Sequence, residues 1–184
     1  MRRKDTTTDM MRGYVADALL RLLERRAYAQ VAIKEVAAEA GVSRSTFYRL
    51  FDGKDAVVSW WYARLMDEYV RLFAARADRG REGYLRAVFD CFAAHADELL
   101  LLHGRGLTHL LLGVLGERLS DGRASYASAY HVGGIYGTMV LWLDRGMADA
   151  PEAMAAEALA IMPPGFVPAA VARARAAHRG VTPP

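Results

Sequence analysis

The chain has 184 residues, 53% of them hydrophobic, which is enough to bury the core of one domain or two small ones. Its only cysteine, Cys91, excludes an intramolecular disulfide and is expected to be a buried apolar thiol. The net charge is only +3, but residues 1–54 carry eleven Lys/Arg against seven Asp/Glu, while the remainder carries thirteen against fourteen, so the positive excess lies at the N-terminal end, where it suits phosphate contact.

The sequence gives no sign of secretion or of a membrane span. The first residues are basic and polar and are followed by no apolar stretch of signal-peptide length, which predicts a cytoplasmic protein. The longest mainly apolar stretch, residues 99–115, is interrupted by His103, Gly104, Arg105 and His109. We therefore expect it to form buried helices and not a transmembrane segment.

No arrangement of residues indicates an enzyme, a cofactor or a metal site. The sequence shows no set of nucleophile, base and orienting residue, and no glycine-rich phosphate loop after a strand. His95, His103 and His109 are not spaced four residues apart and are joined by no cysteine or paired carboxylate at a metal-binding spacing. We expect neither catalysis nor a bound metal.

Apolar residues recur at helical spacing along most of the chain, and strand alternation is not seen, so we expect an all-α fold. Gly41 should end the second helix, because glycine enters the left-handed conformation cheaply. A turn is predicted at 120–122, and a loose tail at 163–184 after two prolines. The predicted helices are about 9–27, Ile33–Ala40, Arg44–Phe51, Lys54–Asp78, Tyr84–His95, Asp97–His103, Thr108–Leu119, Tyr126–Arg145 and Pro151 to before Pro163.

Two of these helices, joined by the turn at Gly41, form the most informative pattern. Ser43 is placed to cap the second of them, whose Phe47 and Phe51 share one face while Arg44, Ser45, Tyr48 and Arg49 point elsewhere. One buried and one polar face after a tight turn fit a helix-turn-helix that reads the major groove of DNA.

The sequence of this segment, IKEVAAEAGVSRSTFYRLFDGK from Ile33 to Lys54, closely resembles the signature of the TetR/AcrR family of transcriptional regulators, with the likeness extending over roughly residues 10–58. The resemblance implies a three-helix DNA-binding domain over 1–53 and a helical bundle for dimerisation and effector binding over 54–162. It also implies a homodimer that binds a double-stranded operator and is released when an effector shifts the long helix from Lys54.

The resemblance further implies which residues meet DNA. Arg44 and Ser45 would lie nearest base edges, Thr46 and Tyr48 on phosphates, and Lys54 on the backbone. A guanidinium at 44 can donate two hydrogen bonds to guanine. Arg49 could be a phosphate contact, and the alternative for these arginines is a merely solvated helix. The full predicted set is Lys34, Ser43, Arg44, Ser45, Thr46, Tyr48, Arg49 and Lys54.

Two residues depart from the family pattern. Ala32 stands where many members have threonine, so the second helix should lose a cap, a deficit of ~1 kcal/mol. Leu50 stands where tyrosine or histidine often lies beside the DNA backbone. Both departures predict a lower operator affinity than in typical relatives.

The segment 130–154 also resembles the C-terminal part of a subgroup of these regulators, in which the last two helices form the dimer interface. Independently, Ala129, Gly133 and Gly137 lie four residues apart on one helix face and permit close approach of another helix, in the same subunit or in a partner. Because a palindromic operator needs a twofold-symmetric reader, dimerisation through this face is the preferred interpretation.

The middle helices are rich in large apolar and aromatic residues, with a few polar groups among them. In a TetR-like domain such residues would line a cavity for a small apolar or aromatic effector, whereas each of them taken alone is more often part of the core. A filled core with an exposed apolar surface would instead favour an adaptor or coactivator that binds a protein partner. The predicted pocket residues are Trp61, Tyr62, Phe89, Phe92, His95, His103, Tyr136, Met139 and Trp142.

Overall fold

The computed structural model describes residues 2–119 and 125–179, with side chains from 7 and up to 174. This part of the chain contains no strand, which confirms the prediction of an all-α fold, and the turn predicted at 120–122 lies outside it. Its ten helices are α1 Arg2–Arg25, α2 Ile33–Glu39, α3 Arg44–Leu50, α4 Lys54–Ala75, α5 Arg81–Ala94, α6 Ala96–Gly104, α7 His109–Leu119, α8 Tyr126–Asp144, α9 Pro151–Ile161 and α10 Ala169–Arg179.

The N-terminal domain forms because α1 supplies an apolar stripe on which α2, α3 and α4 pack. Val15, Leu19 and Leu23 on α1 are buried at helical spacing, and Phe47 of α3 is fully buried with them. Gly41 adopts the left-handed conformation predicted for it, with φ of 67°. The positive φ turns the chain sharply between α2 and α3, so the polar face of α3 points away from α1.

The first turn of α2 keeps one capping hydrogen bond, although Ala32 has no side chain that can accept one. Ala32 offers no side-chain cap, but its N–H donates to Glu35 Oε2 at 2.9 Å. The same carboxylate accepts from Arg26 Nη1 at 2.6 Å. The bond from Arg26, followed by that from the Ala32 backbone, lowers the pKa of Glu35. The predicted deficit at the start of α2 is therefore partly offset.

The C-terminal bundle is built around α4, α5, α7, α8 and α9. The α5 helix packs on α9 and α4, and α7 lies between α4 and α8. The interrupted apolar stretch 99–115 is divided between α6 and α7, and none of the described helices is both long enough and apolar enough to cross a membrane. Cys91 is buried, with its Sγ 3.3 Å from the carbonyl oxygen of Leu65.

The α5 helix begins at Arg81, three residues earlier than predicted, because a glycine admits a close backbone contact. A Cβ at Gly83 would lie 2.0 Å from the carbonyl oxygen of Asp78. The glycine thus allows the loop after α4 to pack on the first turn of α5, where the sequence pattern indicated only a loop.

The prediction of a loose tail over 163–184 is wrong over 169–179, where the chain forms α10. Val171 of this helix is fully buried. The segment before it is held by the Arg81 guanidinium, which donates to the carbonyl oxygens of Met162, Pro163 and Pro164 at 3.0, 3.2 and 3.1 Å. Residues 180–184 lie outside the described part of the chain.

Candidate DNA-binding interface and dimer face

The α3 helix is fixed at its first turn by Ser43 and at its inner face by aromatic packing. Ser43 Oγ accepts the backbone N–H of Thr46 at 3.1 Å, which confirms the predicted cap. Phe47 is fully buried, and its ring centroid lies 6.1 Å from that of Phe51. Both constraints hold the outer face of α3 in one orientation.

That outer face carries most of the residues predicted to meet DNA. Arg44, Ser45, Tyr48 and Arg49 are exposed together with Ser43, whereas Thr46 is half-buried. The Arg44 guanidinium carbon lies 5.5 Å from the centroid of the Tyr48 ring. The contact with the ring limits the conformations of the Arg44 side chain but leaves its charge in place, so its N–H groups remain available for a hydrogen bond to DNA.

The resemblance places position 50 beside the DNA backbone, but Leu50 is buried, with only 8% of the residue exposed. It packs into the domain core with Phe47. The leucine therefore contributes apolar packing, and we expect no direct contact between its side chain and DNA.

Lys34 and Lys54, both predicted to reach DNA, have different environments. Lys34 is exposed on α2. Lys54 is half-buried, and its Nζ donates to the carbonyl oxygens of Tyr28 and Val31 at 2.6 and 2.7 Å. The same Nζ lies 4.1 Å from the centroid of the Tyr28 ring. Burial lowers the pKa of the Lys54 ammonium. Lys54 thus ties the turn between α1 and α2 to the start of α4.

Replacing Lys54 with glutamine is expected to lower the free energy of unfolding by about 1–2 kcal/mol, because charge-assisted bonds to two carbonyls are lost. Lys34→Gln, the matched control, should leave the unfolding free energy within about 0.5 kcal/mol of the wild-type value, since it removes an exposed charge. Urea denaturation of both variants measures the difference. Equal stabilities for the two variants would show that the Lys54 bonds contribute nothing.

Seven of the nine residues predicted to line an effector pocket lie in the packed core or against it, and His95 and His103 are half-buried beside it. Five of them are at most 1% exposed: Tyr62, Phe89, Phe92, Met139 and Trp142. Trp61 borders a void of about 10 Å³, far smaller than an organic ligand. In this conformation the five buried side chains fill the space between the helices, and an effector pocket around the nine residues stays a prediction.

The remaining polar members of the set link helices to one another. His103 Nδ1 lies 3.0 Å from Thr108 Oγ1, and its Nε2 lies 3.0 Å from Asp144 Oδ1. His95 Nε2 lies 3.0 Å from Glu68 Oε2, and Tyr136 is half-buried. In the described part of the chain, no three His, Cys, Asp or Glu side chains are placed to hold a metal ion.

The residues predicted for the dimer interface lie on an exposed face of α8. Ala129, Gly133 and Gly137 are all exposed. Tyr126 is 99% exposed and Tyr130 68% exposed on the same helix. These two tyrosines were not among the residues predicted for the interface. Their spacing of three and four residues along the helix places them on the same face as the glycines and could have identified them. We call this surface the α8 face.

A groove of about 330 Å³ lies between α8 and the C-terminal end of α9. It is lined by Gly133, Gly134, Thr138 and Ile161, among others, and the last of these is 65% exposed. The groove was not predicted, because helical periodicity identifies faces and does not show where two helices diverge. It joins the α8 face to α9.

His131 lies at the edge of the groove in a buried hydrogen bond. Its Nε2 is 2.7 Å from Tyr84 Oη, and its ring centroid is 4.7 Å from that of Phe166. Only 7% of the residue is exposed. Burial disfavours the imidazolium and lowers the pKa of His131 to about 4.

This lowered pKa predicts that acid destabilises the fold. Between pH 6.5 and 4 the unfolded chain binds a proton at residue 131 that the folded chain does not, so the unfolding free energy falls by about 1.4 kcal/mol per pH unit there. Urea denaturation at pH 7 and pH 5 should show a drop about 2 kcal/mol larger for the wild type than for His131→Gln. An equal pH dependence in the two proteins would contradict the assignment of this drop to His131.

Comparison with known proteins agrees with the geometry of the N-terminal domain. Residues 15–59 match the family model described as "Bacterial regulatory proteins, tetR family". No curated protein matches the chain.

Several solved structures share the fold. The dihydroxyacetone kinase operon activator DhaS has a TM-score of 0.54 at 17% identity, over 83% of this chain and 93% of its own. FadR from Bacillus subtilis, solved with stearoyl-CoA, gives 0.52 at 17% identity, over 83% and 98%. The repressor AlkX from Dietzia sp. gives 0.51 at 21% identity, over 83% and 94%.

At these identities the likeness to the solved structures shows the fold alone, and the family is indicated by the match over the helix-turn-helix. Residues 15–59 contain the turn at Gly41 and the whole exposed face of α3. Residues 15–59 thus form a helix-turn-helix segment that matches the model of the tetR family of bacterial regulatory proteins, carried on an all-helical fold.

Proposed function

We propose that this protein is a cytoplasmic transcriptional regulator, acting as a repressor, that binds a palindromic operator as a homodimer and releases it when a small apolar or aromatic effector binds. The helix-turn-helix supplies one reader per subunit. Base recognition by two such readers requires that the subunits be joined about a twofold axis.

The main observation in support of a homodimer is a set of three exposed glycines on α8. A Cβ at Gly133, Gly134 or Gly137 would meet no atom of the described residues within 4 Å. Glycine in a helix interior costs about 1 kcal/mol relative to alanine. Because no described group of the subunit accounts for these three glycines, we attribute them to the close approach of a helix from a second subunit.

The α9 helix supplies matching small residues beside the α8 face. Ala153, Ala156 and Ala160 are exposed on α9, next to the exposed Ile161. Together α8 and α9 present an apolar surface with few charges, of the kind that is buried in stable dimers. Two copies related by a twofold axis would form a four-helix bundle.

A buried hydroxyl supports a response to ligand in spite of the filled core. Tyr62 is fully buried, and no described group completes a hydrogen bond to its Oη. Burial raises the pKa of its phenol, and the Thr108 hydroxyl nearby partly opposes the rise. An unsatisfied buried group costs about 1–3 kcal/mol. An effector that opens the bundle and accepts a hydrogen bond from Tyr62 would recover that energy.

One solved structure that shares this fold contains an acyl ligand. FadR from Bacillus subtilis is in complex with stearoyl-CoA. A long apolar chain is compatible with the aromatic interior described above, although the effector proposed here is defined only as apolar or aromatic with one polar group.

The proposal is tested by measuring binding of the purified protein to the DNA that flanks its own gene, at 50 and 200 mM salt, together with its mass in solution. A dimer that binds one palindromic site saturably and more weakly at high salt is expected, since phosphate contacts release counterions. A folded dimer without sequence preference would overturn the proposal.

A second candidate is an adaptor that uses the α8 face and the α9 helix to bind another protein. The filled core around Tyr62 and Trp142 and the exposed apolar surface both favour it. The two candidates differ in oligomeric state, because an adaptor whose surface serves a different partner would be a monomer in solution. A monomeric mass combined with absence of specific DNA binding would select the adaptor.

A further inference from the structure

Arg105, at the corner between α6 and α7, reaches from the bundle to the DNA-binding domain. Its backbone N–H caps α6 by donating to the carbonyl oxygens of Leu101 and Leu102 at 3.1 and 3.3 Å. Its side chain donates from Nε to the carbonyl oxygen of Leu23 at 2.7 Å and from Nη2 to that of Glu24 at 3.2 Å. Arg105 therefore donates hydrogen bonds to carbonyl groups at the C-terminal ends of two helices, α6 and α1, which belong to different domains.

The carbonyls that Arg105 binds are in the last turn of α1. The last four carbonyls of an α-helix have no partner within the helix, and a cation there also interacts favourably with the helix dipole. A guanidinium keeps its charge at every accessible pH and offers several donors in a fixed plane. The α1 end is therefore held in a defined position relative to α6.

Hydrogen bonds also connect this corner to the rest of the bundle, through His103 before Arg105 and Thr108 after it. His103 connects α6 to Asp144 at the end of α8, and it also contacts the Thr108 hydroxyl before α7. Thr108 is buried. A change in the packing of the bundle core near Tyr62 would move this corner as a unit, and Arg105 would move with it.

We infer that Arg105 is a positioning residue that sets the orientation of the DNA-binding domain on the bundle through α1. This route runs from the bundle through Arg105 to α1 and is separate from the long α4 helix. The inference rests on the proposed function, because orientation matters only if two readers must meet two half-sites together. It deepens that function by naming the contact through which the bundle controls their spacing.

The test compares Arg105→Gln with Arg86→Gln. Arg86 forms an ion pair with Glu152 between α5 and α9, at 2.9 Å, so its loss removes a comparable contact inside the bundle alone. Affinity is measured for a palindromic duplex selected by the wild-type protein from random DNA, and for the same duplex with one half-site scrambled. Hydrogen exchange is followed in the DNA-free proteins.

Arg105→Gln should weaken binding to the palindrome about two- to thirtyfold, the range found for residues that couple distant sites, and leave binding to the single half-site unchanged. Exchange should quicken in the last turn of α1 and at the α6–α7 corner. Arg86→Gln should change neither property. Equal loss on both duplexes would assign Arg105 to the folding of the reader itself, and no loss on either would remove its role; each result overturns the inference.

A failure of the proposed function can be distinguished from a failure of the inference about Arg105, because it would appear in the wild-type protein. If the wild-type protein selects no palindrome, the regulator proposal fails, and the exchange measurement alone decides on the link made by Arg105. Protection lost at the end of α1 in Arg105→Gln would support the link, whereas unchanged protection would overturn it.

Discussion

Replacing Arg44 with alanine is expected to weaken operator binding by the dimer about 30-fold to 10⁴-fold. Arg44 is the first residue of α3 and is exposed, and the N-terminal residues of a recognition helix are those that contact base edges. A bidentate contact to guanine contributes about 1–3 kcal/mol. The proposed homodimer would lose two such contacts, about 2–6 kcal/mol in total, and 1.4 kcal/mol corresponds to a factor of ten in affinity.

The loss should be specific to the operator sequence and should leave the fold intact. The exposed Arg44 side chain contacts Tyr48 on the surface of α3, so the unfolding free energy should change by less than about 0.5 kcal/mol. Arg145→Ala removes the same charge from an exposed position at the end of α8 and should barely alter binding. If Arg44→Ala and Arg145→Ala bind the selected duplex equally well, α3 does not read bases through residue 44.

The helix-turn-helix could be predicted from the sequence because its determinants are local. The spacing of Phe47 and Phe51, the cap at Ser43 and the glycine turn all act within a few residues, and the structure has each of them. The exposed face of α3 then follows from the helical period. For the same reason the bounds of α3, α8 and α9 are close to the predicted ones.

The environment of Lys54 could not be predicted in this way. Its partners, the carbonyl oxygens of Tyr28 and Val31, belong to a turn more than twenty residues earlier. A lysine near a recognition helix has the same sequence signal whether its ammonium meets phosphate or backbone oxygen. Only the packing of the α1–α2 turn on α4 decides between the two.

The pocket and the tail show two further limits of sequence reasoning. Periodicity identifies Tyr62, Phe89 and Trp142 as inward-facing, and the structure buries them, but whether the interior encloses space depends on how the side chains interlock. The tail was expected to be loose because its prolines end α9. The contacts that hold it come from Arg81, more than eighty residues earlier in the chain.

Introducing arginine at Gly133 is expected to convert the dimer to a monomer. The position is exposed in the subunit, and a Cβ there meets no atom within 4 Å, so the variant should fold with a stability equal to or above that of the isolated wild-type subunit. In the dimer the same side chain would lie where two helices meet. Around a twofold axis both copies of α8 would carry the new charge, so bulk and like-charge repulsion would act together.

Mass measured by analytical ultracentrifugation distinguishes the outcomes, with Gly113→Arg as the matched control. Gly113 is also an exposed helical glycine with open space around its Cβ, but it lies on α7, away from the α8 face. The control should remain dimeric. Gly133→Arg should also lose its preference for the palindrome over a single half-site, because two unlinked readers no longer bind together. A dimeric Gly133→Arg protein would place the interface elsewhere, and the three glycines of α8 would then need a different explanation.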